Sequence, residues 1–156
     1  MPLSDLLTAE RIVLLVEPRD FEAVLDAAAQ LLADAAPGST ATIGECLRQR
    51  ERLGSTAIGH GVAIPHGRSD VFDAARGAFL RLQHPVDFDA GDGMPVDLVF
   101  AMAVPEHFTQ QHLQMLSELA ERFADPGFRA ALRAAGDIGA LRAALLDGMP
   151  AAAAAG

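Results

Sequence analysis

The stretch "VDLVFAMAVP", residues 96–105, predicts the central strand around which the expected fold is arranged. Apart from Asp97 it is a continuous apolar run, which is typical of a central strand covered on both faces. Upstream, "RGAFLRLQ" at 76–83 alternates apolar and polar side chains as a half-buried strand does. We therefore expect these two segments to share one sheet, joined by a connection that holds a short strand.

Helical patterns lie on both sides of these strands. "RIVLLVE" at 11–17 predicts a further strand, and Asp20 is placed to cap a helix after it. Apolar residues recur at helical spacing in that helix: Phe21, Val24, Leu25, Ala28, Leu31, Leu32 and Ala35. A shorter helix is expected over 41–53, and short strands between turns over 54–67.

The C-terminal part of the chain is predicted to be helical from Thr109 onward. The first helix there has a stripe of Leu113, Leu116, Ala120 and Phe123, "DPG" at 125–127 ends it and begins a second, and a third follows with Ile138, Leu141 and Leu145 on one face. The expected fold is α/β, a single domain with a mixed β-sheet flanked by helices on both faces. We assign residues 1–147 to the domain and 148–156 to an Ala-rich disordered tail.

Composition excludes several classes of function. The net charge is -9 and the chain has no Trp or Tyr, which disfavours binding to a nucleic-acid backbone or to stacked bases. The single cysteine, Cys46, indicates no disulfide framework and is expected to be a small buried residue in a helix. The N-terminus matches neither a signal peptide nor a membrane span, so we expect a cytoplasmic protein that is not embedded in a membrane.

The motifs of several common sites are also missing. There is no HExxH, CxxC or GxSxG, and the chain contains no lysine for a nucleotide-binding P-loop. We therefore expect no metal and no cofactor.

Two histidines stand in the glycine-rich stretch "STAIGHGVAIPHGRS", residues 55–69. His66 lies between Pro65, which restricts the backbone, and Gly67, which permits a sharp turn and close approach by a ligand. This environment indicates a histidine presented to a ligand, although a surface imidazole in a turn fits equally well. Arg68 favours the first interpretation.

His112 lies near the start of a predicted helix. If Thr109 is the N-cap, His112 is the third helical residue, where backbone N–H groups favour anions and oppose protonation of an imidazole. A phosphate would suit this position, and a histidine at the edge of an apolar face is the alternative. A neutral imidazole can accept a phosphoryl group directly, which requires guanidinium and N–H donors rather than a metal.

Three segments resemble the enzyme IIA domain of the bacterial phosphotransferase system, fructose–mannitol class, and most closely its nitrogen-regulatory branch. They are "RERLGSTAIGHGVAIPHGR" (50–68), "PVDLVFAMAVPEH" (95–107) and "QHLQMLSELAERFAD" (111–125), and the resemblance runs from about residue 3 to 147. It implies that His66 receives a phosphoryl group from the carrier HPr or its nitrogen-branch paralogue. Arg50 then holds the phosphoryl oxygens, His112 is the second active-site histidine, and Gly67 and Arg68 support the phosphate pocket.

His60 departs from the pattern of this family, and we expect it to be a bystander at the rim of the pocket. No cysteine loop of a IIB protein is present, since Cys46 falls in a predicted helix. The resemblance therefore favours a phosphocarrier with a regulatory output through phosphorylation-dependent protein binding. The alternatives are a sugar-transport subunit that passes the group to a IIB partner, and a IIA-like binding module that is not phosphorylated.

Overall fold

Six strands and five α-helices make up the part of the chain described by the computed structural model, which comprises residues 6–15, 19–33, 38–69, 72, 74–107 and 109–148. The strands are β1 (Ile12–Leu15), β2 (Ala57–Gly59), β3 (Val62–Ala63), β4 (His66–Ser69), β5 (Arg76–Val86) and β6 (Val96–Pro105). The helices are α1 (Phe21–Leu32), α2 (Ser39–Leu53), α3 (Thr109–Phe123), α4 (Pro126–Ala134) and α5 (Ile138–Gly148).

The strands form one mixed sheet in the order β1-β5-β6-β3-β2. β5 and β6 share this sheet, as the sequence predicts, and they pair antiparallel, while β1 runs parallel to β5. β3 and β4 both pair parallel to β6, one after the other along its length. β4 therefore continues the edge that β3 begins, and it packs against α2.

The apolar run of β6 is buried on both faces, as predicted. Leu98, Phe100 and Met102 join the core formed with α3, α4 and α5. The alternating residues, among them Ala101 and Ala103, join the core formed with α1 and α2. The sheet is thus mixed with helices on both faces, and the α/β prediction is confirmed. Small side chains on the α1–α2 face allow α2 to lie close to the sheet.

Capping side chains begin two of the helices where the sequence predicts. The Asp20 carboxylate accepts a hydrogen bond of 2.9 Å from the backbone N–H of Ala23, and Asp125 accepts one of 2.9 Å from that of Gly127 at the start of α4. Each bond satisfies one of the N–H groups that a helix start leaves unpaired. In α5, Leu141 and Leu145 are buried in the α3–α5 core, as their spacing predicts.

Three local predictions are wrong. α2 begins at Ser39 rather than at residue 41, and the connection after residue 83 holds no separate short strand, because residues 84–86 continue β5 and residues 87–95, all of them described, are irregular apart from a turn at 91–92. The buried face of α3 is also rotated from the predicted stripe, because Leu113 is 65% exposed whereas His112, Met115 and Leu119 are buried. The helix begins at Thr109 as expected, but a neighbouring row of its side chains is the one buried against the sheet.

Some predictions lie outside the described residues. These are the end of the first strand at 16–17, the stripe residue Ala35, and the tail except for Gly148, which ends α5. Within the described ranges, none of the helices combines the length and the apolar character that crossing a bilayer requires.

Candidate functional site

An open cavity of about 730 Å³ lies where α2, β4 and α3 meet. It brings together the three residues that the sequence singles out: Arg50 near the end of α2, His66 at the start of β4, and His112 in the first turn of α3. Gly67 and Arg68 line the same cavity. Residues distant in sequence meet here because β4 pairs with β6, whose end leads directly into α3.

The packing of α2 on β4 explains Gly67. A Cβ atom at this position would lie 2.9 Å from the Cβ of Cys46 and 3.3 Å from its carbonyl carbon. The glycine is therefore required by the close approach of a helix. The predicted sharp turn is wrong, since Gly67 is a strand residue paired with Ala103.

The imidazole of His66 has a partner at each ring nitrogen. Its Nδ1 lies 2.7 Å from the carbonyl oxygen of Ile64, and its Nε2 lies 3.2 Å from Nε of Arg50. A carbonyl oxygen can only accept, so Nδ1 carries the proton. Nε2 then bears the lone pair, which faces the arginine.

Arg50 is fixed by a second hydrogen bond, which it makes at the end of α2. Its Nη1 donates a hydrogen bond of 2.9 Å to the carbonyl oxygen of Gly54, the residue that ends the helix. Its Nε donates to His66, so the guanidinium spans the helix end and the imidazole. A phosphate at Nε2 would therefore meet a positive charge that is already oriented.

His112 is buried, with 6% of its surface exposed, and packs edge-on against His66 at a ring-centroid distance of 5.0 Å. Among the described residues, its Nε2 is one of the buried side-chain atoms that lack a hydrogen-bond partner. Thr109 is the first residue of α3 and not its N-cap, so His112 is the fourth helical residue rather than the predicted third. It remains in the first turn.

The electrostatics of the cavity keep both imidazoles neutral. Burial, aided by the Arg50 guanidinium and opposed by the bond to Ile64, lowers the pKa of His66 from its usual value. Burial together with His66, Arg68 and Arg50 lowers the pKa of His112 to about 4. A neutral imidazole has a free lone pair and can act as a nucleophile, whereas a protonated one cannot.

The outer part of the cavity is both basic and apolar. Arg68 is exposed and donates from Nη1 to the hydroxyl of Thr109 at 3.2 Å, which links β4 to α3. Leu53 is 85% exposed and Leu113 is 65% exposed, and both line the cavity. Cys46 also lines it and is half-buried, so the expectation of a fully buried cysteine is wrong, although its helical position is confirmed.

His60 does not line this cavity, contrary to the expected place at the rim. It occupies the turn between β2 and β3 with a φ of 58°, where its backbone N–H donates to Asp92 at 2.9 Å and its carbonyl oxygen accepts from Arg133 at 2.6 Å. Across the described ranges, no group of three or more His, Cys, Asp or Glu side chains is arranged to hold a metal ion.

Sequence reasoning missed two residues next to the site. The Glu51 carboxylate accepts hydrogen bonds from the backbone N–H and the hydroxyl of Thr56, and Thr56 is buried. Both residues stand in the segment that carries the resemblance, but their pairing depends on how the chain turns after α2. No spacing rule would reveal it.

Comparison with known proteins shows which family this chain resembles over most of its length. The family model described as "Phosphoenolpyruvate-dependent sugar phosphotransferase system, EIIA 2" matches residues 5–148. The nitrogen regulatory protein of Bradyrhizobium diazoefficiens is 37% identical over 145 residues, covering 93% of this chain and 95% of that protein. That of Pseudomonas aeruginosa is 41% identical over 146 residues, with coverage of 93% and 95%.

Among solved structures, the nitrogen regulatory protein IIA-Ntr from Neisseria meningitidis superimposes with a TM-score of 0.84 at 41% identity, covering 92% of this chain and 98% of that one. The shared fold, the level of identity and the near-complete coverage agree with one another. The chain therefore belongs to the EIIA 2 family of the phosphoenolpyruvate-dependent sugar phosphotransferase system, in which the two relatives compared above are nitrogen regulatory proteins.

Proposed function

We propose that the protein is a phosphohistidine carrier that accepts a phosphoryl group on His66 Nε2 from HPr or its nitrogen-branch paralogue. The observation that carries this proposal is the differentiation of the two ring nitrogens of His66. The carbonyl of Ile64 at 2.7 Å holds the proton on Nδ1 and leaves the lone pair on Nε2, beside the Arg50 guanidinium.

The transfer needs no cofactor. The lone pair of His66 Nε2 attacks the phosphorus of the donor's phosphohistidine, a new N–P bond forms, and the old N–P bond breaks with its electron pair returning to the donor imidazole. Arg50 must release Nε2 as the phosphorus approaches, and its guanidinium then pairs with the phosphoryl oxygens. With its proton on Nε2, which has no hydrogen-bond partner in the described part of the chain, His112 would donate to one of those oxygens once the phosphoryl group is bound.

The surroundings of the cavity suit a protein donor. Leu53 and Leu113 present exposed apolar surface beside the cavity, and Arg68 adds positive charge next to it. A donor that carries a phosphohistidine on its surface could cover the leucines while its phosphoryl group reaches His66. The cytoplasmic location expected from the sequence remains a prediction.

A regulatory output is the second part of the proposal, and the nitrogen regulatory relatives support it. Adding nearly two negative charges beside exposed leucines changes which proteins this face can bind. The alternative of a sugar-transport subunit shares the phosphoryl transfer but ends with a different acceptor, a IIB protein.

Phosphotransfer from labelled phosphoenolpyruvate through enzyme I and HPr or its paralogue tests the proposal. We expect label on the protein that is stable in base and labile in acid, and that stays on it when IIB domains of the fructose and mannitol type are added. Loss of the label to a IIB domain would favour the sugar-transport alternative. Absence of label with every donor would leave a IIA-like binding module.

A further inference from the structure

The loop that follows α2, residues 54–56, is held by a pair of side chains that do not line the cavity of about 730 Å³ in front of His66. Oε2 of Glu51 accepts a hydrogen bond of 2.9 Å from the backbone N–H of Thr56, and Oε1 accepts one of 2.7 Å from its hydroxyl. Thr56 is 6% exposed. We call this double hydrogen bond the Glu51–Thr56 clamp.

Glu51 connects the clamp to Arg50 through backbone hydrogen bonds of Gly54. The backbone N–H of Gly54 donates to the carbonyl oxygen of Glu51 at 3.2 Å, and the carbonyl oxygen of Gly54 accepts from Arg50 Nη1 at 2.9 Å. The direction of the Gly54 carbonyl therefore sets where the guanidinium lies. Because the clamp closes the loop over residues 51 to 56, it also fixes the peptide that holds Arg50.

Thr56 connects the clamp to His66 through the backbone of Ile64. The carbonyl oxygen of Thr56 accepts a hydrogen bond of 3.0 Å from the backbone N–H of Ile64. The carbonyl oxygen of the same Ile64 lies 2.7 Å from His66 Nδ1. Thr56 therefore anchors the residue that keeps the proton on Nδ1 and so leaves the lone pair on Nε2.

We propose that Glu51 and Thr56 are positioning residues for phosphoryl transfer, acting through two branches that meet at the clamp: Gly54 and Arg50 reached from Glu51, and Ile64 and His66 reached from Thr56. The inference rests on the proposed function of His66. The clamp aligns the nucleophilic nitrogen and the guanidinium with each other before a donor arrives. Small displacements of aligned groups lower rates strongly, so its loss is expected to slow transfer rather than to weaken donor binding.

A merely structural clamp would stabilise the loop without affecting the imidazole, and the variants are chosen to separate the two roles. Thr56→Val removes the hydroxyl and keeps the shape, whereas Thr56→Ser keeps the hydroxyl. Glu51→Gln replaces one accepting oxygen by an amide nitrogen that cannot accept. Glu45→Gln is the matched control, since Glu45 is on the same helix but pairs with Arg48 and Arg52.

Two measurements on these variants distinguish a positioning role of the clamp from a merely structural one. Nitrogen-15 NMR of the unphosphorylated protein reports the tautomer of His66 without any donor. Transfer kinetics from phosphorylated HPr or its paralogue separate the maximal rate from the half-saturating donor concentration. For Thr56→Val and Glu51→Gln we expect a mixture of tautomers and a maximal rate about 10-fold to 100-fold lower, with little change in half-saturation. Thr56→Ser and Glu45→Gln should behave as wild type.

The proposal is overturned if Thr56→Val and Glu51→Gln keep the wild-type tautomer and maximal rate while only their thermal midpoints fall. Should either fail to fold, Glu51→Asp, which keeps both oxygens but withdraws them by one methylene, takes its place under the same criteria. A wild-type protein that accepts no phosphoryl group would refute the proposed function. The tautomer comparison would still decide whether the clamp orients His66.

Discussion

His60 and His66 belong to one glycine-rich segment, yet the structure gives them opposite environments. The His60 residue is exposed in a turn and is held through its backbone by Asp92 and Arg133. The His66 ring is half-buried and has a different partner at each nitrogen. The partners of His66 distinguish its two ring nitrogens and leave the lone pair on one of them, as a nucleophile requires. Lying in a glycine-rich segment does not by itself provide such partners.

The sharpest test of this comparison exchanges each histidine for a residue that cannot accept the phosphoryl group. We expect His66→Gln to abolish acid-labile, base-stable label, because the proposed nucleophile is gone. His60→Gln should leave the extent of labelling unchanged. The measurement is incorporation from labelled phosphoenolpyruvate through enzyme I and HPr or its paralogue. Loss of most label in His60→Gln would show that the two environments are not functionally distinct.

The next largest effect is expected from substitution of Arg50, whose guanidinium lies beside the ring of His66. Arg50→Ala should slow transfer about 100-fold, because it removes an oriented cation where the phosphoryl charge develops. Arg52→Ala is the matched control, as Arg52 is on the same turn of α2 but faces Glu45 and is 64% exposed at its side chain. Single-turnover kinetics measure both, and equal rates for the two variants would contradict the role of Arg50.

Smaller effects are expected from substituting the glycines next to the two histidines, Gly67 and Gly61, and the two substitutions are compared with each other. Gly67→Ala forces a Cβ to within 2.9 Å of the Cys46 Cβ, so it should cost about 1–3 kcal/mol of stability and slow transfer by moving β4 from α2. Gly61→Ala places a side chain at a φ of +77° and crowds Arg133, at a similar cost of about 1–3 kcal/mol. It should leave transfer by the folded protein unchanged.

Urea unfolding and transfer rates corrected for the folded fraction measure this pair. The two substitutions are expected to agree in stability and to differ in rate. If Gly61→Ala slows transfer as much as Gly67→Ala does, the turn at His60 communicates with the cavity, and the separation of the two regions fails.

The smallest effect is the pH dependence that burial of His112 introduces. Its pKa is lowered to about 4 in the folded protein, against a usual value of about 6.5 for an unfolded chain. Between these values the unfolded state binds more protons, so this contribution to stability is fully present above pH 6.5 and is lost as pH falls. From pH 7 to pH 5 the free energy of unfolding should fall by about 2 kcal/mol from this group.

Urea titrations at the two pH values check this expectation, with His112→Asn as the comparison. The variant should lose less stability than wild type on acidification, although His66 still contributes in the same direction because its pKa is also lowered. An identical loss in both proteins would mean that His112 is not the buried titrating group.

Much of the fold follows from local patterns that are visible in the sequence. The apolar run of β6 and the cap at Asp20 depend on neighbours within one or two turns, and both are confirmed. β5 forms where it is expected, but the prediction that it is half-buried is wrong, because its residues 77–80 are all buried between the two helical layers. The buried face of α3 could not be predicted from the sequence, because Leu113 and Met115 are equally apolar. Only packing against the sheet determines which of them is buried.

The architecture and the family resemblance can be recognised in the sequence, where residue type and short-range spacing also point to His66 and His112, whereas Arg50 is implied by the resemblance alone. The folded chain was needed to show that Gly67 serves helix packing, that the proton of His66 resides on Nδ1, and that Glu51 and Thr56 connect its two partners. The reason is physical: hydrogen-bond direction and close contact depend on the relative placement of α2, β4 and α3, which pairing through β6 establishes across long separations in the chain.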